Sequence, residues 1–276
     1  MKQLFICLLL VISLATCLTL TASASAAPSG DPVVYVTIVD KGTVVMAERG
    51  VTVTDVDDDG TLTIHDTLYA AHVSYDGGVE AGYRAGVTDW GISLLRLWGD
   101  DSGNFGYYRN DLPAWNLTDA VKDGDRLVAF IYADTAYYSD TYAFFDTTRV
   151  TVEEGTADGV TLTLSLSYIG NDAGYSSFTL PLAGASITID GEETAYTTDD
   201  GGRVTLPLSL KAGEHVISAT HPERTLVAPV CVITVTGTPV NVGLIVGVCI
   251  GAALLASGAA VFTVVYRKTL ASEKKR

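Results

Sequence analysis

The sequence predicts a mainly β protein with one short soluble helix and one transmembrane helix. Three observations support this fold class: short runs of alternating β-branched residues between Gly and Asp turns, a single helical apolar pattern, and a long uncharged run near the C-terminus. The chain of 276 residues leaves room for two extracellular domains of roughly 100 residues each. We expect the first to be a small α+β sheet domain and the second an all-β sandwich.

The N-terminus has the composition of a secretory signal peptide. Lys2 precedes an apolar run from Leu4 to Leu20, and residues 22–27 are all alanine or serine, which offers several cleavage sites. We therefore assign residues 1–27 to a signal peptide.

The C-terminal segment is long and apolar enough to cross a membrane. From Val242 to Tyr266 every residue is apolar, small or hydroxyl-bearing, and Arg267 and Lys268 follow at once. We assign residues 240–266 to a transmembrane helix and residues 267–276 to a basic cytoplasmic tail, with the N-terminus outside. Gly243, Gly247 and Gly251 form a small-residue stripe that would let two such helices associate as a homodimer, although glycine is also common in unpaired membrane helices.

Charge and cysteine content restrict the environment. Six of the 17 basic residues lie in the signal peptide and tail, as does one of the 32 acidic residues, so the predicted ectodomain has a formal charge of −20. Such a surface excludes nucleic-acid binding. Cys231 is the one cysteine between the two membrane-directed segments, so no disulfide can form within the ectodomain. This pattern favours a surface protein in the plasma membrane of a bacterium with a single membrane.

The first predicted domain spans residues 28–147. Alternating β-branched residues predict strands at Val33–Val39 and Val51–Thr54. Thr63 and Asp66 form a capping box before an apolar helical pattern, which predicts the short helix. Further strands are predicted at 92–98, 105–109, 126–132 and 141–145.

The second predicted domain spans residues 148–239. Its threonine- and valine-rich runs alternate strictly, and Asp-Gly and Ala-Gly pairs separate them. Short strands at such regular spacing indicate a β-sandwich.

An acidic segment between the second predicted strand and the helix has the spacing of a calcium loop. Asp55, Asp57 and Asp59 fill positions 1, 3 and 5, the carbonyl of Thr61 position 7, and Asp66 position 12. These oxygens predict a structural calcium ion. The alternative is a β-hairpin of residues 51–56 and 61–64 with an Asp-Gly turn and solvated carboxylates.

Aromatic residues concentrate in the first domain and suggest a surface for a planar or sugar ligand. The candidate ligand-binding residues are Trp98, Tyr107, Tyr108, Asn110 and Trp115. The alternative is that strand alternation buries about half of the aromatic side chains as ordinary packing. The sequence contains none of the common catalytic motifs, so we expect no enzymatic activity.

Four segments of the first domain resemble the transcobalamin C-terminal-like domain (DUF4430). They are LTIHDTLYAAH (62–72), GISLLRLWG (91–99), GYYRN (106–110) and VKDGDRLVAFIY (121–132). The resemblance implies a small helix against a mixed sheet and a ligand-binding or interaction module, since related domains cover one face of a corrinoid.

The segments LAGASITID (182–190), TTDDGGRV (197–204) and AGEHV (212–216) resemble bacterial Ig-like and carboxypeptidase-regulatory-like sandwiches, which act as stalks. Together these features predict a membrane-anchored bacterial surface protein that presents a module for a small molecule, such as a corrinoid, or a glycan on an Ig-like stalk. The alternative is an adhesion or protein-interaction protein without a small-molecule ligand.

Overall fold

The computed structural model describes residues 30–75, 82–89, 91–155, 159–169, 177–207 and 209–237. The predicted signal peptide, transmembrane helix, glycine stripe and cytoplasmic tail lie outside these residues. Within them, no helix is long and apolar enough to span a membrane.

The described chain is mainly β with one short helix, as the sequence predicts. The helix α1 covers Ile64–Tyr75. The strands are β1 (Val33–Asp40), β2 (Thr43–Thr52), β3 (Arg84–Thr88), β4 (Gly91–Arg96), β5 (Phe105–Arg109), β6 (Leu112–Pro113), β7 (Arg126–Ile131), β8 (Thr141–Phe145), β9 (Arg149–Glu153), β10 (Val160–Ile169), β11 (Ser177–Pro181), β12 (Ser186–Ile189), β13 (Glu192–Thr197), β14 (Arg203–Leu206), β15 (Gly213–Thr220), β16 (Leu226–Val227) and β17 (Cys231–Thr236).

The first compact unit comprises the chain up to Asp40 and Arg49–Tyr132. Within this unit the strands follow one another in the order β1-β7-β5-β6, in which β1 and β7 run parallel while β5 and β7 run antiparallel. Helix α1 contacts β1, and strands β3 and β4 form a separate antiparallel pair. The core includes Val34, Val36, Ile38, Ile64, Leu68, Leu97, Leu117 and Leu127, each fully buried.

The second compact unit comprises Lys41–Glu48 and the chain from Ala133 onwards. One sheet has the order β11-β10-β8-β16, with β14 paired to the first half of β10, and the other has the order β13-β12-β15-β17-β9. Both contribute to one apolar core, so the predicted β-sandwich is present. Its fully buried members are Leu164, Ala185, Ile187, Ile217, Cys231 and Ile233.

The predicted domain boundary and the observed unit boundary fall at different positions. The sequence places the change between residues 147 and 148, whereas the longer segment of the second unit begins at Ala133. The reason is strand β8, which pairs antiparallel with β10 and parallel with β16. Phe145 of β8 is buried in the core of the second unit.

The turn between β12 and β13 confirms one local prediction. Asp190 and Gly191 have φ angles of 53° and 84°. Positive φ at both central residues is typical of the type I′ turn, which an Asp-Gly pair favours and which matches the twist of a hairpin.

Candidate functional site

The acidic loop brings three of its carboxylates together. Asp55, Asp57 and Asp59 each offer an oxygen within 4.8 Å of the others. The loop is held by its own backbone, because Asp55 accepts hydrogen bonds from the N–H groups of Asp59 (3.2 Å) and Gly60 (2.7 Å). The N–H of Thr61 donates to Asp59 at 2.8 Å. Hydrogen bonds from backbone N–H groups to aspartate side chains therefore hold the loop in a conformation that clusters three negative charges.

Two carboxyls of the loop have pKa values that are shifted from the ordinary value, in opposite directions. The hydrogen bond from the Gly60 N–H lowers the pKa of Asp55 below its ordinary value. Loss of hydration within the loop, followed by the negative charges of Asp59 and Asp66, raises the pKa of Asp57. The ionised form of Asp57 is thus disfavoured by its surroundings in the loop, whereas that of Asp55 is favoured.

Asp66, the predicted ligand at position 12, lies apart from the three clustered carboxylates. It is completely buried, and its two oxygens accept hydrogen bonds from the N–H of Val56 (2.9 Å), the N–H of Thr63 (2.8 Å) and the hydroxyl of Thr63 (2.7 Å). The predicted capping box is therefore formed. The Asp66 carboxylate closes the loop onto the first turn of α1.

The hairpin alternative for this segment is wrong. Strand β2 ends at Thr52, and Thr63 forms an isolated bridge with Ala120 instead of pairing with residues 51–56. Ile64 already belongs to α1. The segment is a loop because the helix already begins at Ile64, with Thr63 as its cap.

Two of the five predicted ligand-binding residues line one groove of the first unit. Tyr107 lies in β5, and Trp115 follows β6 with an exposed fraction of 71%. The Tyr107 hydroxyl donates to the carbonyl oxygen of Trp115 at 3.3 Å. The groove has a volume of about 410 Å³, and its other lining residues are Ile92, Ser93, Leu94, Gly103, Phe105 and Asn116.

The backbone around Trp115 is fixed by a single carboxylate. One oxygen of Asp119 accepts hydrogen bonds from the N–H groups of Trp115 (3.2 Å) and Asn116 (3.4 Å), and the N–H of Asp119 donates to the carbonyl of Asn116 at 3.1 Å. Burial, followed by the charge of Asp119, raises the pKa of Tyr107, so its phenol stays protonated at neutral pH. The groove thus presents an exposed indole beside the Tyr107 hydroxyl oxygen, which can still accept a hydrogen bond because its proton is donated to Trp115.

The other three predicted residues lie elsewhere in the unit. Tyr108 follows Tyr107 in the strand and points to the opposite face, where its ring lies 6.2 Å from that of Phe130 and burial raises its pKa to about 12. Asn110 bridges β5 and β7: its Nδ2 donates to Asp125 at 2.9 Å, and its Oδ1 accepts from the N–H of Arg126 at 2.9 Å.

Trp98 follows β4 and packs beside the helix, with its ring 5.4 Å from that of His72. The five residues therefore lie in four separate environments.

Sequence reasoning missed most of the groove wall. Phe105 could have been found from strand alternation, because it lies two residues before Tyr107 and so shares its face. Ile92, Ser93 and Leu94 carry no comparable signal, since their approach to β5 depends on tertiary packing of the β3–β4 pair.

Comparisons with known proteins assign no family to this chain. No protein-family model and no curated protein matches it. The N-terminal two-immunoglobulin-domain module of the Drosophila receptor protein tyrosine phosphatase DLAR matches at 13% identity with a TM-score of 0.23, over 56% of this chain and 74% of that one.

Immunoglobulin domains 1–4 of Sidekick-1 match at 14% identity and a TM-score of 0.22, over 74% of this chain and 49% of theirs. The four N-terminal immunoglobulin domains of Dscam1 isoform 8.4 match at 8% identity and a TM-score of 0.22, over 77% and 46%. The chain spans about half the length of these two structures. TM-scores this low do not identify a common fold. The architecture described above therefore rests on the observed strand pairing.

Proposed function

We propose that this protein is a membrane-anchored bacterial surface protein whose first unit binds an extracellular glycan in the groove beside Tyr107 and Trp115. The observation that carries this proposal is the exposed Trp115 indole next to a formed groove of about 410 Å³. Ligand pockets of a few hundred Å³ with aromatic walls and a few placed polar groups are typical of small-molecule sites. The second unit, as an Ig-like stalk, would hold this site away from the membrane.

The chemistry of the wall favours a sugar over a wholly apolar ligand. A sugar ring has an apolar C–H face, which stacks on an indole, and a rim of hydroxyls, which needs hydrogen-bonding partners. Trp115 supplies the flat surface, while Ser93 and Asn116 supply polar groups at the same groove. A corrinoid, the ligand that the resemblance to transcobalamin-like domains implies, is much larger than a single sugar and would contact the groove with only part of its surface.

The test is binding of a glycan panel and cobalamin to the full chain in detergent micelles, followed by titration of any ligand found. Trp115→Ala should weaken glycan binding at least tenfold without lowering the unfolding temperature, because the side chain is mostly exposed. Tyr137→Ala is the matched control, since Tyr137 is an exposed aromatic residue of the second unit. Equal losses in both variants, or no glycan binding to the wild type, would refute the proposal; cobalamin binding alone would replace the glycan by a corrinoid.

A second candidate function is protein interaction through a tyrosine-bearing loop of the second unit. Tyr137 and Tyr138 are exposed, although the loop between residues 134 and 140 is tightly held. Asp134 accepts hydrogen bonds from the N–H groups of Ala136 (3.0 Å) and Tyr137 (3.1 Å) and from the Ser139 hydroxyl (2.5 Å). Exposed tyrosines on a pre-ordered loop bind protein partners at low entropic cost.

This second function requires a protein bound on the cell surface. Proximity cross-linking from Tyr137 on intact cells should recover a protein partner that is lost in a Tyr137→Ala/Tyr138→Ala variant. Recovery of the same neighbours with and without the two tyrosines would contradict it.

A further inference from the structure

Strand β11 of the second unit is an outer strand without charged side chains. Among the described strands it pairs only with β10. The other long outer strands of the sandwich are charged, because β9 contains Arg149 and Glu153 and β13 contains Glu192 and Glu193. Neither β10 nor β11 contains a charged residue. Uncharged outer strands pair readily with a further strand, which natural proteins normally block with charged side chains.

The face of β11 that carries Phe178 and Leu180 is apolar and exposed. Phe178 and Leu180 are 39% and 49% exposed, and Tyr168 of β10 is 44% exposed. The rings of Tyr168 and Phe178 stack at 5.3 Å. Leu180 lies opposite Leu166, which belongs to the sandwich core. The core-facing side of the sheet therefore continues outward as an uncovered apolar strip.

The backbone of β11 has hydrogen-bonding groups directed to the open edge. The N–H of Leu182 donates to the carbonyl of Leu164 in β10 at 2.9 Å. Because N–H directions alternate along a strand, Leu180 and Phe178 also face β10, whereas Thr179 and Ser177 face away from it. Pro181 faces away as well, and its missing N–H leaves no donor unsatisfied there.

We propose that this edge is an interface at which the β11 strands of two copies of the chain pair antiparallel about a two-fold axis. The pairing centres on Thr179, which faces the partner's Thr179 and exchanges two N–H···O bonds with it. Ser177 then donates to the carbonyl of the partner's Pro181. In this register Phe178 lies against the partner's Leu180 on the apolar face, so the strand is complementary to itself.

The charge distribution of the chain favours a second copy as the partner that pairs with β11. The chain has a formal net charge of −15, so two copies repel each other over most surfaces. The described residues of β10 and β11 carry no charge, so two acidic molecules repel each other less along these strands. The pairing joins two four-strand paths into one sheet and brings the two apolar strips into contact side by side. It is independent of the proposed ligand groove.

The experiment is position-specific cross-linking of the full chain in detergent micelles. In Thr179→Cys a short thiol-reactive cross-linker should trap a dimer at least tenfold more efficiently than in Thr151→Cys. Thr151 is the matched control, because it is also an exposed threonine within an outer strand of the sandwich. Association through any other part of the chain affects both variants equally.

A second variant tests the apolar strip. Leu180→Lys places a charge on the exposed face and should weaken dimerisation of the otherwise wild-type chain more than tenfold, measured by sedimentation over a concentration series. Its unfolding temperature should be unchanged, since Leu180 is half exposed. Equal cross-linking of the two cysteine variants, or an unchanged dimer in Leu180→Lys, would overturn the proposal. Cross-linking of Thr179→Cys only to a different protein would assign the edge to a foreign strand and overturn it too.

Discussion

The backbone N–H of Trp98 donates a hydrogen bond of 3.1 Å to Nε2 of His72. His72 is completely buried in α1, and its Nδ1 lies 2.6 Å from the carbonyl oxygen of Leu68. A carbonyl only accepts and an amide N–H only donates, so these contacts require a neutral imidazole with its proton on Nδ1. Trp98 has a φ of 50°, a left-handed conformation that a non-glycine residue rarely adopts. His72 thus stabilises the turn after β4.

Removing the acceptor at His72 should destabilise the first unit. His72→Phe preserves the ring but leaves the Trp98 N–H without its acceptor, and an unsatisfied buried donor costs about 1–3 kcal/mol. Urea denaturation followed by tryptophan fluorescence measures the change in free energy of unfolding. The control is Val73→Ala, because Val73 is the next helical residue and is 53% exposed. Equal effects of the two substitutions would show that the bond does not hold the turn.

Gly202 is required by both conformation and space. Its φ is 73°, and a Cβ there would lie 2.3 Å from the carbonyl oxygen of Leu164 and 3.1 Å from the amide nitrogen of Leu182. Gly191 has a similar φ of 84° with nothing within 4 Å of the added carbon. Gly191→Ala should therefore cost only about 1–2 kcal/mol for the left-handed backbone. Gly202→Ala should cost roughly 1–3 kcal/mol more, because strands β10 and β14 must separate.

The two glycine variants are best compared by thermal unfolding under one set of conditions. The difference between them isolates the close approach of backbones, since both positions share the conformational penalty. If Gly191→Ala proved as destabilising as Gly202→Ala, the contact with Leu164 would contribute nothing.

Local periodicity in the sequence predicted many of the strands and the helix, but it could not predict which distant strands pair. Strands β1, β5 and β7 and helix α1 follow from alternation and from a capping box, which depend on neighbouring residues. The parallel pairing of β1 with β7 joins residues about 90 positions apart, as in Tyr35 with Arg126. Such a register is decided by packing of the whole unit, for which a single sequence has no local signal.

The candidate site shows where two sequence patterns competed for the same side chain. Asp66 satisfies both a calcium-loop spacing and a capping box, and its two oxygens are taken by the Thr63 cap and by the N–H of Val56. The predicted ligand-binding aromatic residues do not share one surface, and the reason is different. Tyr107 and Tyr108 are adjacent in β5, so alternation alone places them on opposite faces and a shared platform is excluded.

The pairing of His215 with Asp190 should make the second unit pH-dependent. His215 Nδ1 lies 2.7 Å from the Asp190 carboxylate and Nε2 lies 2.9 Å from the carbonyl of Lys211. The hydrogen bond to Asp190, followed by that to Lys211, raises the pKa of His215. A raised pKa means that the folded chain binds the proton more tightly, so this stabilisation is complete below the unfolded pKa of about 6.5 and is lost as pH rises through the folded value.

Asp190→Asn tests this dependence without disturbing the turn. Asn tolerates the φ of 53° at this position and can still accept the hydrogen bond from the Val216 N–H. We expect the variant to lose stability relative to the wild type at pH 5.5 and to differ little at pH 8.5, by urea denaturation at each pH. His221→Gln is the control, since His221 contacts backbone groups only in the bonds described. A constant difference across pH would contradict the expectation.

The acidic loop should respond to calcium through Asp57. Because the pKa of Asp57 is raised, its contribution to stability is present below the ordinary carboxyl pKa and is lost as pH rises through the folded value. At neutral pH its charge therefore opposes folding, so Asp57→Asn should raise the unfolding temperature in chelator. Millimolar calcium should raise that of the wild type, because the cation stabilises the three clustered carboxylates, and should leave Asp57→Asn unchanged.

The two conditions separate repulsion from metal binding. Asp89→Asn is the control, because it removes one exposed negative charge outside the loop and should retain the calcium response. A wild type that ignores calcium while Asp57→Asn remains more stable in chelator would mean that the loop tolerates its repulsion through the hydrogen bonds of Asp55 and Asp66 alone. The prediction of a calcium site would then be wrong, because the cap has taken the carboxylate that the twelfth ligand position requires.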